Sequence, residues 1–289
     1  MLIRRLHVAL LLAALAGCGE STPPSATDLG PIERPTEVPG TDGLVTTARP
    51  VLVSDDGTGT RLCLSGDRSF GASTTVGCSD ADVSGWSWAE HEGDYEVTDG
   101  VRVGSFLLTG TYDGDVFTTT EVLPGAAFEP EGLPLFDIPC PEPEGGWQAQ
   151  DPSKVTTERY VDLQKTAERL PGFALTVVTH TDGSLGAEIL SEAVVTVQVA
   201  EDPSGAEALL RESWGGMLCV DEVAHSRSDL VRIQRQLLGL PGLIEVGVGT
   251  PGNKVNLTVF NDDGRYQRWV DREYGSDAVV VTSVLQPAE

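Results

Sequence analysis

Three residues with the chemistry of hydrolytic enzymes stand almost side by side in this sequence: His180, Asp182 and Ser184. A serine nucleophile needs a base and a carboxylate that converge on it from separate elements. Neighbours within one short loop do not meet that requirement, and the chain contains no G-x-S-x-G nucleophile elbow. The sequence therefore assigns no catalytic residue.

Carboxylates suggest a second chemistry, because they bind calcium. Asp80, Asp82 and Ser84 precede Gly85 as in the first half of an EF-hand loop, but the twelfth position holds His91 where a bidentate glutamate is needed. The chain also has no Walker motif and no G-x-G-x-x-G that leads from a strand into a helix. We expect neither a metal nor a nucleotide cofactor. Paired carboxylates elsewhere in so acidic a chain keep open the alternative of a cell-envelope hydrolase.

Four cysteines follow Cys18, and an even number in an oxidising compartment is typical of disulfides. Four cysteines allow three pairings. Cys63 and Cys78 are joined by a short loop within one β-rich stretch, so we predict a Cys63–Cys78 disulfide, which leaves Cys140–Cys219. Metal ligation is the weaker interpretation, since no C-x-x-C pair occurs.

The N-terminus has the layout of an export signal. Arg4 and Arg5 precede an apolar run too short for the roughly 20 residues that span a bilayer. The run ends in Leu15-Ala16-Gly17-Cys18, which resembles the lipobox of bacterial lipoproteins. That resemblance implies a signal peptide at residues 1–17, a diacylglycerol and palmitate-type anchor on Cys18, and attachment to the outer face of the cell membrane. A soluble secreted protein with a chance cysteine is the alternative.

The chain is strongly acidic, with 44 Asp and Glu against 19 Lys and Arg and a net charge of −25. Nucleic acid and anionic lipid headgroups are therefore excluded as partners of the bulk surface. Arginine greatly outnumbers lysine, which, together with abundant Ala, Gly and Val, indicates a high-GC genome of the Gram-positive type.

Composition divides the chain into segments. Residues 18–43 are rich in Pro, Ser, Thr and Gly and are predicted to form a disordered tether. Residues 44–123 carry short β-branched runs between Asp-Gly turns, which predicts a small all-β domain, OB-like or a sandwich. Residues 124–153 form a Pro- and Gly-rich connector. The predicted strands of the β-rich domain are Pro50–Ser54, Arg61–Ser65, Gly85–Trp88, Val101–Tyr112 and Val116–Val122.

Aromatic residues crowd the β-rich domain, and two roles are open for them. They form its core and rim, or some face outward as a binding surface for a carbohydrate or peptide. The residues are Trp86, Trp88, Tyr95, Phe106 and Tyr112.

Residues 154–289 show an internal similarity between 154–223 and 227–287. A stretch of residues typical of a helix ends in Leu170-Pro171-Gly172, and a similar stretch seventy positions later ends in Leu240-Pro241-Gly242. Further along each copy, Trp214-Gly215 matches Tyr274-Gly275. Leu-Pro-Gly ends a helix, and glycine after an aromatic residue ends the next one. Each copy is predicted as αββαβ, with a ligand groove between the copies. Chance similarity of two α/β units is the alternative.

The αββαβ order is similar to the BON module of bacterial envelope proteins and to ferredoxin-like folds. The sequence thus predicts an α+β protein: a small all-β domain followed by two αββαβ repeats. Its predicted role is that of a membrane-anchored, non-enzymatic binding or scaffolding protein, whose partner is an envelope protein or a wall polymer.

Overall fold

The computed structural model describes residues 32–63, 81–129, 136–182, 184–186, 189–249 and 252–288. Its strands are β1 (Val45–Thr47), β2 (Val51–Asp55), β3 (Thr60–Cys63), β4 (Ala81–Ser84), β5 (Tyr95–Thr98), β6 (Val101–Tyr112), β7 (Val116–Pro124), β8 (Phe173–His180), β9 (Ala193–Val199), β10 (Met217–Glu222), β11 (Leu243–Gly247), β12 (Val255–Val259), β13 (Val279–Ser283) and β14 (Leu285–Pro287). Its α-helices are α1 (Thr157–Ala167), α2 (Pro203–Ser213), α3 (Arg227–Leu237) and α4 (Arg265–Tyr274). Over the described ranges, no helix is long and apolar enough to cross a membrane.

Five of the described strands close into a β-barrel. β2 pairs with β3 and β3 with β4, both antiparallel, and β4 pairs parallel with β7. The long strand β6 pairs antiparallel with both β7 and β2 and thereby closes the ring. Gly110 of β6 makes the close approach possible opposite the bulge in β7, because a Cβ there would lie 2.0 Å from the carbonyl oxygen of Thr118.

The barrel core follows the period-2 pattern of β6. Alternate residues of that strand face inward, and Phe106 and Leu108 are fully buried together with Leu62 and Phe117. The strand predicted at Gly85–Trp88 is wrong. Strand β4 ends at Ser84, the backbone turns at Gly85 with a φ of 74°, and a short 3₁₀ helix places Trp88 against the barrel core instead.

The C-terminal part of the chain contributes to the barrel. Strand β14 pairs antiparallel with β1, which in turn pairs with β6. Phe260, Val284 and Leu285 lie in the barrel core, where the ring of Phe260 meets that of Tyr112 edge to face at 4.7 Å. The β-rich domain therefore does not pack by itself but includes residues from the end of the chain.

The rest of the fold consists of two units with one topology, here called the first unit (α1 to β10) and the second unit (α3 to β13). In each unit the middle strand pairs antiparallel with the strand before it and parallel with the strand after it, with a helix between the parallel strands. Each sheet has a bulge at the same place, after Phe173 and after Leu243. These shared features are those that an internal duplication predicts.

Local sequence signals explain why the helices of the two units begin and end where they do. The hydroxyl of Thr156 accepts the N–H of Arg159 at the start of α1, and that of Ser226 accepts the N–H of Asp229 at the start of α3. Gly172 and Gly242 follow the first helices in the left-handed region, with φ of 67° and 62°. The predicted helix-to-strand turns at Leu-Pro-Gly are therefore present in both units.

The connector covers the second face of the first unit's sheet. β9 is buried along its whole length, because α1 and α2 cover one face and the connector covers the other. Cys140 forms the predicted disulfide with Cys219 of β10, and Ile138 and Trp147 pack against the same face. The disulfide thus fixes residues 136–151, a described stretch without strand or helix, onto the sheet.

Residues 34–40, which composition assigns to the tether, instead pack against the second unit. Pro35 and Pro39 are buried, and the side-chain amide of Asn261 donates to the carbonyl oxygen of Pro39 at 2.8 Å. Two prolines reduce the entropy that this stretch loses on ordering, so a small apolar contact suffices to hold it.

Candidate functional site

A polar depression of about 630 Å³ lies at one edge of the first unit's sheet. Strand β8 runs antiparallel to β9, and β10 runs parallel to β9. The last residue of β8 and the first residues of β9 and β10 therefore lie at the same end of the sheet, where the depression is. The connector adds the remaining wall. The residues that line the depression are Trp147, Gln148, Ala149, His180, Thr181, Asp182, Ser184, Ser191, Glu192 and Met217.

Trp147 is the largest side chain of the site, and the disulfide holds it there. It is half-buried and packs on Val194, Met217 and Cys219. The cystine between Cys140 and Cys219 fixes the connector seven residues before Trp147. One side of the indole is thus supported by the sheet, while the same side chain lines the depression.

His180, Asp182 and Ser184 all line the depression, but they do not form a triad. The Ser184 hydroxyl donates to Asp182 Oδ1 at 2.7 Å, and the same oxygen accepts the backbone N–H of Ser184 at 3.0 Å. The carbonyl oxygen of Ser184 accepts the backbone N–H of His180 at 2.9 Å. These are the bonds of a tight turn, in which the serine hydroxyl donates to the Asp182 carboxylate rather than to the imidazole of His180.

The turn also sets the ionisation of Asp182. The hydrogen bond from the Ser184 hydroxyl, followed by that from its backbone N–H, lowers the pKa of Asp182 below its ordinary value. The group is therefore ionised at neutral pH and acts as a hydrogen-bond acceptor.

Trp147, Gln148 and Glu192 are among the seven lining residues that were not predicted from the sequence. Trp147 carried a signal that could have been used, because a tryptophan in a Pro-, Gly- and Glu-rich connector must pack against something. Glu192 carried none, since its place beside the end of β8 depends on the β8–β9 register.

The calcium loop considered from sequence is not formed by the residues that the structure describes. Asp82 lies in β4 and pairs with Arg61 at 3.5 Å, and the Ser84 hydroxyl lies 2.8 Å from that of Thr118. Asp80 is outside the described residues. Across the described ranges, no group of three or more His, Cys, Asp or Glu side chains could hold a metal ion.

The remaining predicted site residues fall in several places. Cys18 and Cys78 lie outside the described residues. Cys63 is disulfide-bonded, which agrees with a paired cysteine, while its predicted partner stays a prediction. Cys140–Cys219 is present with an S–S distance of 2.02 Å.

The aromatic residues of the barrel pack mainly on one another. Phe106 and Tyr112 are buried and Trp88 is 8% exposed, so these three belong to the core. Trp86 and Tyr95 are half-exposed and make edge-to-face contacts at 4.9 Å, Trp86 with Phe106 and Tyr95 with Trp88. This packing favours the core-and-rim role over a free aromatic binding face.

The ligand groove expected between the two units stays a prediction, and the two depressions described here lie elsewhere. The depression at Trp147 belongs to the first unit and the connector, and a smaller apolar groove lined by Leu170 and Leu209 lies within the first unit.

Comparisons with known proteins give no family for this chain. No protein-family model matches the sequence, and a search of curated proteins finds none that is similar to it. The functional assignment therefore rests on the chemistry of the described residues.

Proposed function

We propose that this protein is a lipid-anchored protein of the bacterial envelope that binds a saccharide unit of a cell-wall polymer without changing it chemically. The observation that carries the proposal is the depression at Trp147, in which one supported indole is surrounded by amide, carboxylate, hydroxyl and imidazole side chains.

The donor and acceptor set of the depression matches the chemistry of a sugar ring. An indole offers an apolar surface to the C–H groups of the ring, and the few polar groups around it fix the orientation of the hydroxyls. The ionised Asp182 accepts hydroxyl hydrogens. The carboxylates of Asp182 and Glu192 disfavour an anionic ligand, so the sugar is neutral or carries an amino group.

The fold is consistent with a binding scaffold, and we propose a finer classification for it. The ring order β2-β3-β4-β7-β6, with the parallel pair between β4 and β7, is that of an OB-type barrel, a fold that also binds oligosaccharides. We also propose that the two αββαβ units arose by duplication and are BON-like.

The lipid anchor on Cys18 is the part of the proposal that concerns location. In the native host, the wild-type protein should require detergent for extraction from membranes. The Cys18→Ala variant should stay uncleaved or be released into the medium. Retention of correctly processed Cys18→Ala protein in the membrane fraction would contradict the anchor and leave the binding proposal untouched.

Saccharide binding is tested with neutral N-acetylglucosamine oligomers titrated into the full-length protein and followed by calorimetry. We expect saturable binding that Trp147→Ala weakens at least tenfold, equivalent to about 1.4 kcal/mol. Trp86→Ala is the matched control, since it removes a second half-exposed tryptophan from the barrel, and it should leave the affinity unchanged. Absence of saturable binding contradicts the proposal. Shortening of the oligomers during the titration favours the hydrolase, with Asp182 and Glu192 as its acids.

A further inference from the structure

The second unit holds residues 34–40 of the same chain, a stretch with no strand or helix and a bend at Glu37, in a groove between its Leu-Pro-Gly turn and α4. The amide of Asn261 donates to the carbonyl oxygens of Pro39 at 2.8 Å and Gly40 at 3.3 Å. Val38 packs so closely on the turn that a Cβ on Gly242 would lie 2.7 Å from its Cγ2.

Two charged residues that precede Val38 add to this contact. The Arg265 guanidinium lies 3.9 Å from the carboxylate of Glu37. The Arg34 guanidinium lies 5.3 Å from the ring centre of Trp269 and donates to the carbonyl oxygen of Gln236 at the end of α3 at 3.1 Å. The groove therefore holds an apolar residue followed by proline, with charged residues before them.

The first unit has an equivalent groove, and backbone hydrogen bonds fix the correspondence. The N–H of Ala200 donates to Gly172 O at 2.7 Å, just as the N–H of Phe260 donates to Gly242 O at 2.8 Å. The following residues therefore correspond at an offset of sixty positions. At that offset, four residues of the first unit replace those that contact residues 34–40 in the second. Glu201 replaces Asn261, Gly205 replaces Arg265, Ala206 replaces Tyr266 and Leu209 replaces Trp269.

Smaller side chains make the first groove deeper than the second. It is an apolar opening of about 150 Å³ lined by Leu170, Pro171, Glu201, Asp202, Gly205, Ala206 and Leu209. Ala206 takes the position at which Tyr266 fills the second groove. Among the described residues no segment covers it, and Leu209 is 48% exposed where its counterpart Trp269 is 4% exposed.

The charge beside residue 37 differs between the two grooves. Arg265 faces the acidic Glu37 in the second unit, whereas Gly205 stands in its place in the first unit. A Cβ on Gly205 would lie 2.2 Å from Asp202 Oδ2, so a carboxylate occupies this position, and the exposed Glu201 lies beside it. A carboxylate at 201 cannot donate to a peptide carbonyl as Asn261 does, but it attracts a cation. The residue of the occupant that takes the place of Glu37 must therefore be basic.

We propose that the first unit's groove is a docking site for a segment of a partner polypeptide, with an apolar residue followed by proline and a lysine or arginine directly before them. Residues 34–40 show how the fold holds such a segment. The strongly acidic surface of this chain favours a basic partner at longer range.

The inference is independent of saccharide binding, because it uses a different surface and a different class of ligand. It is tested with two synthetic peptides titrated into the full-length protein. One has the chain's own sequence, Arg-Pro-Thr-Glu-Val-Pro-Gly, and the other replaces Glu by Lys. We expect the lysine peptide to bind saturably and at least tenfold more tightly than the glutamate peptide, with a difference that shrinks as salt is raised.

Two variants identify the site. Leu209→Arg places a cation at an exposed position of the groove, and Ala206→Tyr fills it as Tyr266 fills the second groove; each should reduce lysine-peptide binding at least tenfold. Val97→Arg is the matched control, because Val97 is also an exposed apolar residue, at 60% against 48% for Leu209, and lies on the barrel. Equal affinity for both peptides, or lysine-peptide binding that survives Leu209→Arg, overturns the proposal.

Discussion

Phe260 is the residue whose removal should best show that the barrel and the second unit are one structure. It directly follows β12 of the second unit, is 1% exposed, and packs edge to face on Tyr112 of the barrel strand β6. Its counterpart in the first unit is Ala200, which is too small to reach a neighbouring core. We therefore expect Phe260 to join the barrel to one unit and not to the other.

The Phe260→Ala substitution should lower the free energy of unfolding by about 3–5 kcal/mol, the usual cost of emptying a buried phenylalanine site. Edge-to-face contact with Tyr112 places the value in the upper half of that range, since such pairs add about 0.5–1.5 kcal/mol beyond area burial. Phe260→Leu should cost less, because it leaves a smaller cavity.

Urea unfolding gives the free energy, and amide hydrogen exchange shows where it is lost. In Phe260→Ala, protection should fall together in β6 and β12. Leu163→Ala is the control, since Leu163 is fully buried in the core of the first unit, and it should reduce protection there more than in the barrel. If Phe260→Ala leaves β6 protected while β12 exchanges faster, the barrel is independent of the second unit and the reasoning is refuted.

Two further predictions concern the connector and the buried tyrosines. Replacing Cys140 and Cys219 together by alanine opens a loop of 79 residues, and the chain-entropy model gives a loss of about 4.5 kcal/mol in urea unfolding; a loss below about 1 kcal/mol would mean that the connector is held without the disulfide. Burial is the largest cause that raises the pKa of Tyr112 and of Tyr266 to about 12, and nearby aspartates add to it. Near pH 10 these tyrosines therefore ionise in the unfolded chain but stay neutral in the folded protein. Their contribution to stability is complete below about pH 10 and lost as the pH rises through 12, and the urea midpoint should fall in that window less steeply in Tyr112→Phe; an unchanged slope would contradict the assignment.

Local signals in the sequence were sufficient for the two αββαβ units. A capping hydroxyl, a Leu-Pro-Gly turn and an alternating strand each act within a few residues, so their effect does not depend on the rest of the fold. Trp214 and Tyr274 stand at matching helix ends as predicted, but Trp214 is fully buried and Tyr274 is half-exposed, because their surroundings differ.

The candidate site was only partly predictable. His180, Asp182 and Ser184 were visible as chemical groups, and their place within one short loop was sufficient reason to reject them as a triad. Trp147 and Glu192 join them only because the strand register and the Cys140–Cys219 disulfide bring a connector and a loop to one sheet edge.

By itself, the sequence determined the order of helices and strands in the C-terminal half and the β-rich character of the N-terminal half. These follow from propensity and periodicity, which are local properties. Cysteine counting left three pairings open, and the structure has the Cys140–Cys219 pair that the sequence analysis favoured. Only the tertiary structure decided that Phe260 completes the barrel core, that residues 34–40 lie on the second unit, and that the equivalent groove of the first unit is open. Each of these depends on which apolar surfaces remain to be covered once the elements are assembled, and burial between residues over two hundred positions apart leaves no periodic pattern in the chain.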